Sequence, residues 1–136
     1  MPEASDALKD LVDIAFEHAF ESIDGGDTLV PFAILEEAGE RTLHRYVAET
    51  YEGGLATGRR KLKSAMPDRA VLAWDGFVTT PEGRFDAIFV EAQERGGHSF
   101  VLAVRYKHVR GLLRRRLRLF DDGPVWFEDG EGLIGG

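Results

Sequence analysis

Two stretches late in the chain constrain the fold most. Arg84–Glu94 and Ser99–His108 both alternate at the two-residue period of a β-strand, and Gly96-Gly97 between them supplies hairpin turn chemistry. A two-residue turn there predicts a register that pairs Ala92 with Val101, Val90 with Ala103 and Asp86 with Lys107. On the other face it pairs Phe89 with Val104 and Ala87 with Tyr106. Both faces of this pair are largely apolar, so it belongs in the middle of a sheet with a helix covering one face.

The covering helix is legible near the start. Leu8, Leu11, Val12, Ala15, Phe16, Ala19, Phe20 and Ile23 follow the 3-4 spacing of one helical face. Ser5 is placed to cap the start, with Asp6 and Asp10 near the positive end of the dipole, and Gly25-Gly26 is the stop. Asp13, Glu17 and Glu21 mark its polar side.

Between these features the spacing predicts a hairpin, Leu29–Glu37 with Arg41–Ala48, turning at Ala38-Gly39. Pro31 has no amide hydrogen and is expected at a strand start or on an edge. Residues 51–66 read as a second helix, with Tyr51, Leu55, Gly58, Leu62, Ala65 and Met66 on one face and Pro67 as its end. Gly53, Gly54 and Gly58 each lower helix preference by about 1 kcal/mol. Arg69–Thr80 is a strand joined to Arg84–Glu94 by turn residues Thr80-Pro81-Glu82-Gly83, with Asp75-Gly76 as an expected bulge.

For residues 109–120 a helical stripe competes with strand alternation, and a loop followed by a last hairpin returning through Val125-Trp126-Phe127 is favoured. Gly130–Gly136, with four glycines, is expected to fray. The expectation is a single α+β domain over residues 1–136. Its antiparallel sheet has the order α-β-β-α-β-β-β plus a C-terminal hairpin, with the N-terminal amphipathic helix packed on it. Over residues 8–108 this order resembles the roadblock, longin and profilin-like group of small α+β folds. Pro31-Phe32-Ala33 and Asp86-Ala87-Ile88 also resemble segments of small bacterial proteins of unassigned function. Neither resemblance implies an activity, because a fold does not fix a function.

Composition narrows the chemistry. The 136 residues contain no cysteine, which excludes disulfides and thiolate sites. No apolar run approaches the ~20 residues that span a bilayer. The first residues lack the basic and apolar regions of a secretory signal, so the expected compartment is the cytoplasm.

Charge is segmental. Residues 1–58 carry 3 basic and 13 acidic groups, residues 59–120 carry 14 and 6, and residues 121–136 carry none and 5. Acidic and basic elements are therefore expected to meet and neutralise one another, within the chain or between subunits.

His18, His44, His98 and His108 fit no compact metal-ligand spacing, so no metal and no cofactor are expected. His44 and His108 meet only if their strands are neighbours. The serines sit in no nucleophile motif. Three strand carboxylates, Asp75, Asp86 and Glu91, are the candidates for general acid/base work in a small hydrolase or isomerase. Arg110, Arg114, Arg115, Arg116 and Arg118 are the candidates for contact with an acidic protein partner or another anion. Nucleic acid is disfavoured by the net charge of −7 and the acidic flanks. The function expected is a non-catalytic protein-interaction module, homodimeric, without a membrane.

Overall fold

A computed structural model of the chain describes residues 4–25, 29–110, 115–119 and 125–134, with side chains given except at 108–110, 115–119 and Trp126. Helix α1 (Asp6–Asp24) begins as its sequence dictates, with the Ser5 hydroxyl accepting from the Leu8 amide. The Ser5 amide itself donates to Glu94 at 2.8 Å, which ties the cap to the sheet. Leu8, Leu11, Val12, Ala15, Phe16, Ala19 and Ile23 are all buried, the stripe expected from their spacing. Each large aliphatic or aromatic member of such a stripe contributes roughly 1.5–3 kcal/mol by leaving water.

Strands β1 (Phe32–Glu37) and β2 (Glu40–Arg45) form the first hairpin, turning through Ala38 and Gly39, both at positive φ. Helix α2 (Tyr51–Ala65) follows, capped by Thr50 and closed at Met66 in a left-handed conformation before Pro67. Strands β3 (Arg69–Thr80) and β4 (Gly83–Glu94) pair along their whole length around Pro81-Glu82. Strand β5 (Phe100–Arg110) completes the meander, followed by β6 (Arg115–Leu119) and β7 (Val125–Asp129). Among the described residues the sheet is antiparallel throughout, in the order β2-β1-β3-β4-β5-β6, with β7 also on β5.

The two faces carry different layers. Phe32, Ile34, Val71, Ala73, Ile88, Val90, Leu102, Val104 and Tyr106 point toward α1. Ala33, Ala70 and Leu72 point the other way, toward Leu62 of α2, Tyr46, and Leu133 and Ile134. The glycines of α2 have a packing reason that sequence spacing does not show. A Cβ on Gly58 would lie 2.6 Å from the Tyr46 ring, and one on Gly54 would strike the Tyr46 carbonyl oxygen. Helix preference is given up for a close approach.

Several expectations change. Strand β5 is slipped by one residue from the two-residue-turn register: Asp86 pairs with Tyr106, Ala92 with Phe100 and Phe89 with Ala103. The connection is longer because Gly97 closes a turn onto the Glu94 carbonyl and the Arg95 amide faces β3, extending the β3–β4 ladder to the Asp68 carbonyl, rather than pairing with β5. A slip of one reverses the faces of β5, so Leu102, Val104 and Tyr106 meet the helix rather than Val101 and Ala103.

Asp75-Gly76 is not a bulge, since β3 and β4 keep an unbroken register there. Gly76 is small because a Cβ would press on Phe89 at 2.9 Å, a ring stacked on Trp74. Pro31 sits at the start of β1, one of its two expected places, and creates no edge, because β1 lies between β2 and β3. The strands expected after residue 109 are present, but β6 and β7 each pair with β5 rather than with each other. Nor does the described part of 130–136 fray, for Leu133 and Ile134 are buried.

Candidate functional site

The three strand carboxylates do not converge. Asp75 and Asp86 share the α1 side of the sheet, whereas Glu91 alternates onto the α2 side with Phe89. Asp75 accepts from the Tyr106 hydroxyl at 2.8 Å, and its backbone amide donates to the Tyr51 hydroxyl. Burial, then the hydrogen bond to Asp75, drive the Tyr106 phenol far above its ordinary value. Burial also pushes Tyr51 up to about 12. Neutral phenols holding a carboxylate and a strand amide brace the place where β3 continues past the start of β1. Asp86, expected to pair with Lys107, is exposed and lies opposite Tyr106.

Glu91 is the more unusual group, being fully buried within the otherwise apolar run 87–92 of β4. Its Oε1 lies 2.7 Å from the Arg59 guanidinium of α2, and its Oε2 accepts from the Gly132 amide at 3.0 Å. Arg59 also meets Glu131 at 3.2 Å and lies over the Trp74 ring. Two residues along β4 on the same face, Gln93 accepts through Oε1 from the amides of Leu133 and Ile134, at 2.7 and 2.9 Å. Gly130 passes so close to Glu91 and to Ser99 that a Cβ there would collide with both side chains. Glu91 and Gln93 thus hold the backbone of the segment 130–134, and Arg59 holds its one charged side chain. Glu91 stands out in the sequence as a candidate carboxylate and Arg59 as part of a basic tract of α2, but nothing in their spacing links either to the other or to Gln93. The available signal was a Glu-x-Gln alternation at the end of the apolar run 87–92, with the chain's single glutamine.

The opposite side of the sheet carries a second polar network. Glu36 on β1 is buried and accepts from Arg41 at 2.8 Å and Arg69 at 2.6 Å. The Arg41 hydrogen bond, against an opposing burial effect and with help from Arg69, holds the Glu36 carboxyl below its usual range. Burial pushes Glu94 up, but Ser5 and Arg69 outweigh it, and the net direction is down.

At the sheet edge, every residue of β2 is exposed. The two-residue turn at 38–39 directs the Glu40, Thr42 and His44 backbone groups toward β1 and those of Arg41, Leu43 and Arg45 outward. Arginines on an edge normally deter a second strand. Here both turn back onto α1 and β1, Arg41 to Asp10 and Glu36, Arg45 to His18 at 3.4 Å. Asp10, Ile14 and His18 lie one turn apart on α1, so Ile14 comes level with Leu43 between those contacts, 37% and 38% exposed.

The remaining candidates are placed as follows. His18 packs edge-on against Phe32 at 4.7 Å, His44 lies on β2, and His98 is exposed in the 95–99 turn. His108 is on β5, separated from β2 by three intervening strands, so His44 and His108 are not neighbours. Arg110 ends β5, and Arg115, Arg116 and Arg118 lie on β6, opposite Arg110, Val109 and Lys107; Arg114 falls outside the described residues. The acidic face of α1 and the basic residues Arg60, Lys61 and Lys63 of α2 lie on opposite sides of the sheet. The two helices therefore do not neutralise each other.

An open groove of about 1150 Å³ runs between Ser5 and Leu8 of α1, the 95–99 turn and Asp129–Gly132. Among the described residues no group of three or more His, Asp or Glu side chains is arranged to hold a metal ion, and no helix is long and apolar enough to cross a membrane. No protein-family model, curated protein or solved structure matches this chain.

Proposed function

We propose that the protein is a non-catalytic interaction module that pairs with a second copy of itself through β2. The observation that carries this reading is the edge strand: six residues in straight register with β1, exposed throughout, with both arginines folded back onto the protein. Such an edge offers its outward N–H and C=O groups to another strand.

Symmetry restricts how two copies pair. A two-fold axis normal to the sheet must lie level with a residue, midway between it and its own copy, because neighbouring residues point to opposite faces. An axis at Leu43 sets Arg41 against Arg45 of the other copy twice, a like-charge arrangement. An axis at Thr42 sets Glu40 against His44 and Arg41 against Leu43, and leaves the outward groups of Arg41 and Leu43 to form the new ladder. The Thr42 register is the one we adopt. The proposed location is the cytoplasm, where a fold without cysteine needs no oxidising environment.

Light scattering tests the reading. Wild type should run at twice the chain mass of 15.1 kDa. Leu43→Pro removes only an outward amide, not a bond to β1, and should run as a folded monomer. A wild-type monomer, or a Leu43→Pro variant that stays dimeric, would overturn it.

A further inference from the structure

The segment 130–134 is bound as a peptide ligand is bound. Its amides are received by two side chains of β4: Gly132 by Glu91, and Leu133 and Ile134 by Gln93. Its acid, Glu131, is clamped by Arg59. Its apolar pair, Leu133 and Ile134, fills the cluster formed by Tyr46, Leu62 and Leu72. Two glycines serve this fit: Gly130 allows contact with Glu91 and Ser99, and Gly132 takes a φ of +103°. Backbone acceptors, a charge clamp and an apolar pocket in sequence are the parts of a peptide-recognition site.

The acceptors belong to β4 and the clamp to α2, elements placed by their own packing on the sheet. A fully buried glutamate and a half-buried glutamine on one face of β4 are costly unless paired, and an incoming segment pairs them.

We infer that the groove between α2 and β4 is a peptide-binding site for an acidic–Gly–aliphatic–aliphatic segment, and that residues 130–134 of a second copy can occupy it in place of the chain's own. The site lies across the sheet from the α1–β2 seam and does not depend on β2 pairing. All chains in the test therefore carry Leu43→Pro, so that the result is separate from the fate of the β2 reading.

The acceptor is the chain ended after Asp129, and the probe is the synthetic peptide Gly-Glu-Gly-Leu-Ile-Gly-Gly. Titration followed by Trp74 fluorescence, the indole beneath Arg59, should show saturable 1:1 binding. A peptide carrying Leu133→Asp should bind at least about 30-fold more weakly, as loss of a buried leucine implies. The donor is the full-length chain with Gln93→Ala, whose own groove is weakened and whose segment is intact. Mixed with the acceptor it should form a 1:1 complex, absent when the donor also carries Leu133→Asp. Should the shortened acceptor not fold, full-length Gly130→Ala takes its place, since the added Cβ presses on Glu91 and Ser99 and loosens the chain's own segment. An acceptor that unfolds alone but refolds with the peptide supports the site. A folded acceptor that ignores both peptide and donor overturns it, as do two acceptors that no peptide can refold.

Discussion

Gly58→Ala puts a sign, not only a size, at stake. In an ordinary helix interior this change stabilises by about 1 kcal/mol. Here the new Cβ would sit 2.6 and 2.8 Å from two carbons of the Tyr46 ring, against the ~3.5–4.0 Å of normal carbon contact. The ring cannot swing clear, because it is buried and packed with Leu62 and Leu133. Nor can α2 be pulled in elsewhere, since Gly54 already lies against the Tyr46 carbonyl.

Overpacking of this kind costs about 1–3 kcal/mol, so the net expectation is a loss of up to about 2 kcal/mol. In a Tyr46→Ala background the obstruction is gone, and the same substitution should stabilise by about 1 kcal/mol. Urea unfolding of the four proteins, followed by tryptophan fluorescence, gives the cycle. If Gly58→Ala stabilises the wild-type chain, or acts with the same sign in both backgrounds, the account of α2 packing is wrong.

Other perturbations follow from the same structure. Phe16→Ala empties the centre of the α1 face and should cost about 3–5 kcal/mol in a thermal or urea melt; an unchanged melt would show the helix to be peripheral. The three tyrosines, Tyr46, Tyr51 and Tyr106, all have phenols raised by burial. Absorbance at tyrosinate wavelengths should therefore stay nearly flat at pH 10, where unfolded chain is half ionised. Because these phenols are raised, their stabilising contribution is complete below pH ~10 and is lost as pH climbs through the folded values. Glu36→Gln should cost about 1.5–3 kcal/mol at neutral pH, the range for hydrogen bonds to a charged group. Glu36 is held below the ordinary 4.5, so the gap between wild type and variant should close as pH falls below that value. A gap independent of pH would contradict the ion-pair account.

The legible parts of the fold were those where one residue pattern has one physical solution. The α1 stripe, its Ser5 cap and the β3–β4 turn are of this kind. The β5 register was not, because Gly96-Gly97 suits several loop lengths, and the choice depends on Asp68 receiving the Arg95 amide from another part of the chain. Gly54 and Gly58 read as helix defects until Tyr46 is placed beside them. Of the candidate site, Glu91 could be named from its strand and Gln93 lies two residues along it, but Arg59 and the segment over them come from two distant stretches brought together by topology. The exposure of β2 was hidden for the same reason, since strand order is a property of the sheet and not of the hairpin.

The pairing of two β2 strands about Thr42 is tested most directly by a single cysteine. The chain has none, so Thr42→Cys introduces the only thiol. In the proposed register Thr42 faces its own copy as a non-hydrogen-bonded pair, with Cα atoms ~4.5 Å apart, inside the range a disulfide requires. Mild oxidation at micromolar concentration should convert the protein almost completely to a covalent dimer that keeps the wild-type melt, while cysteines placed one at a time at Leu43 and His44 should cross-link far less. A Thr42→Cys protein that remains monomeric under oxidation, or that cross-links no faster than the other two, contradicts the proposal.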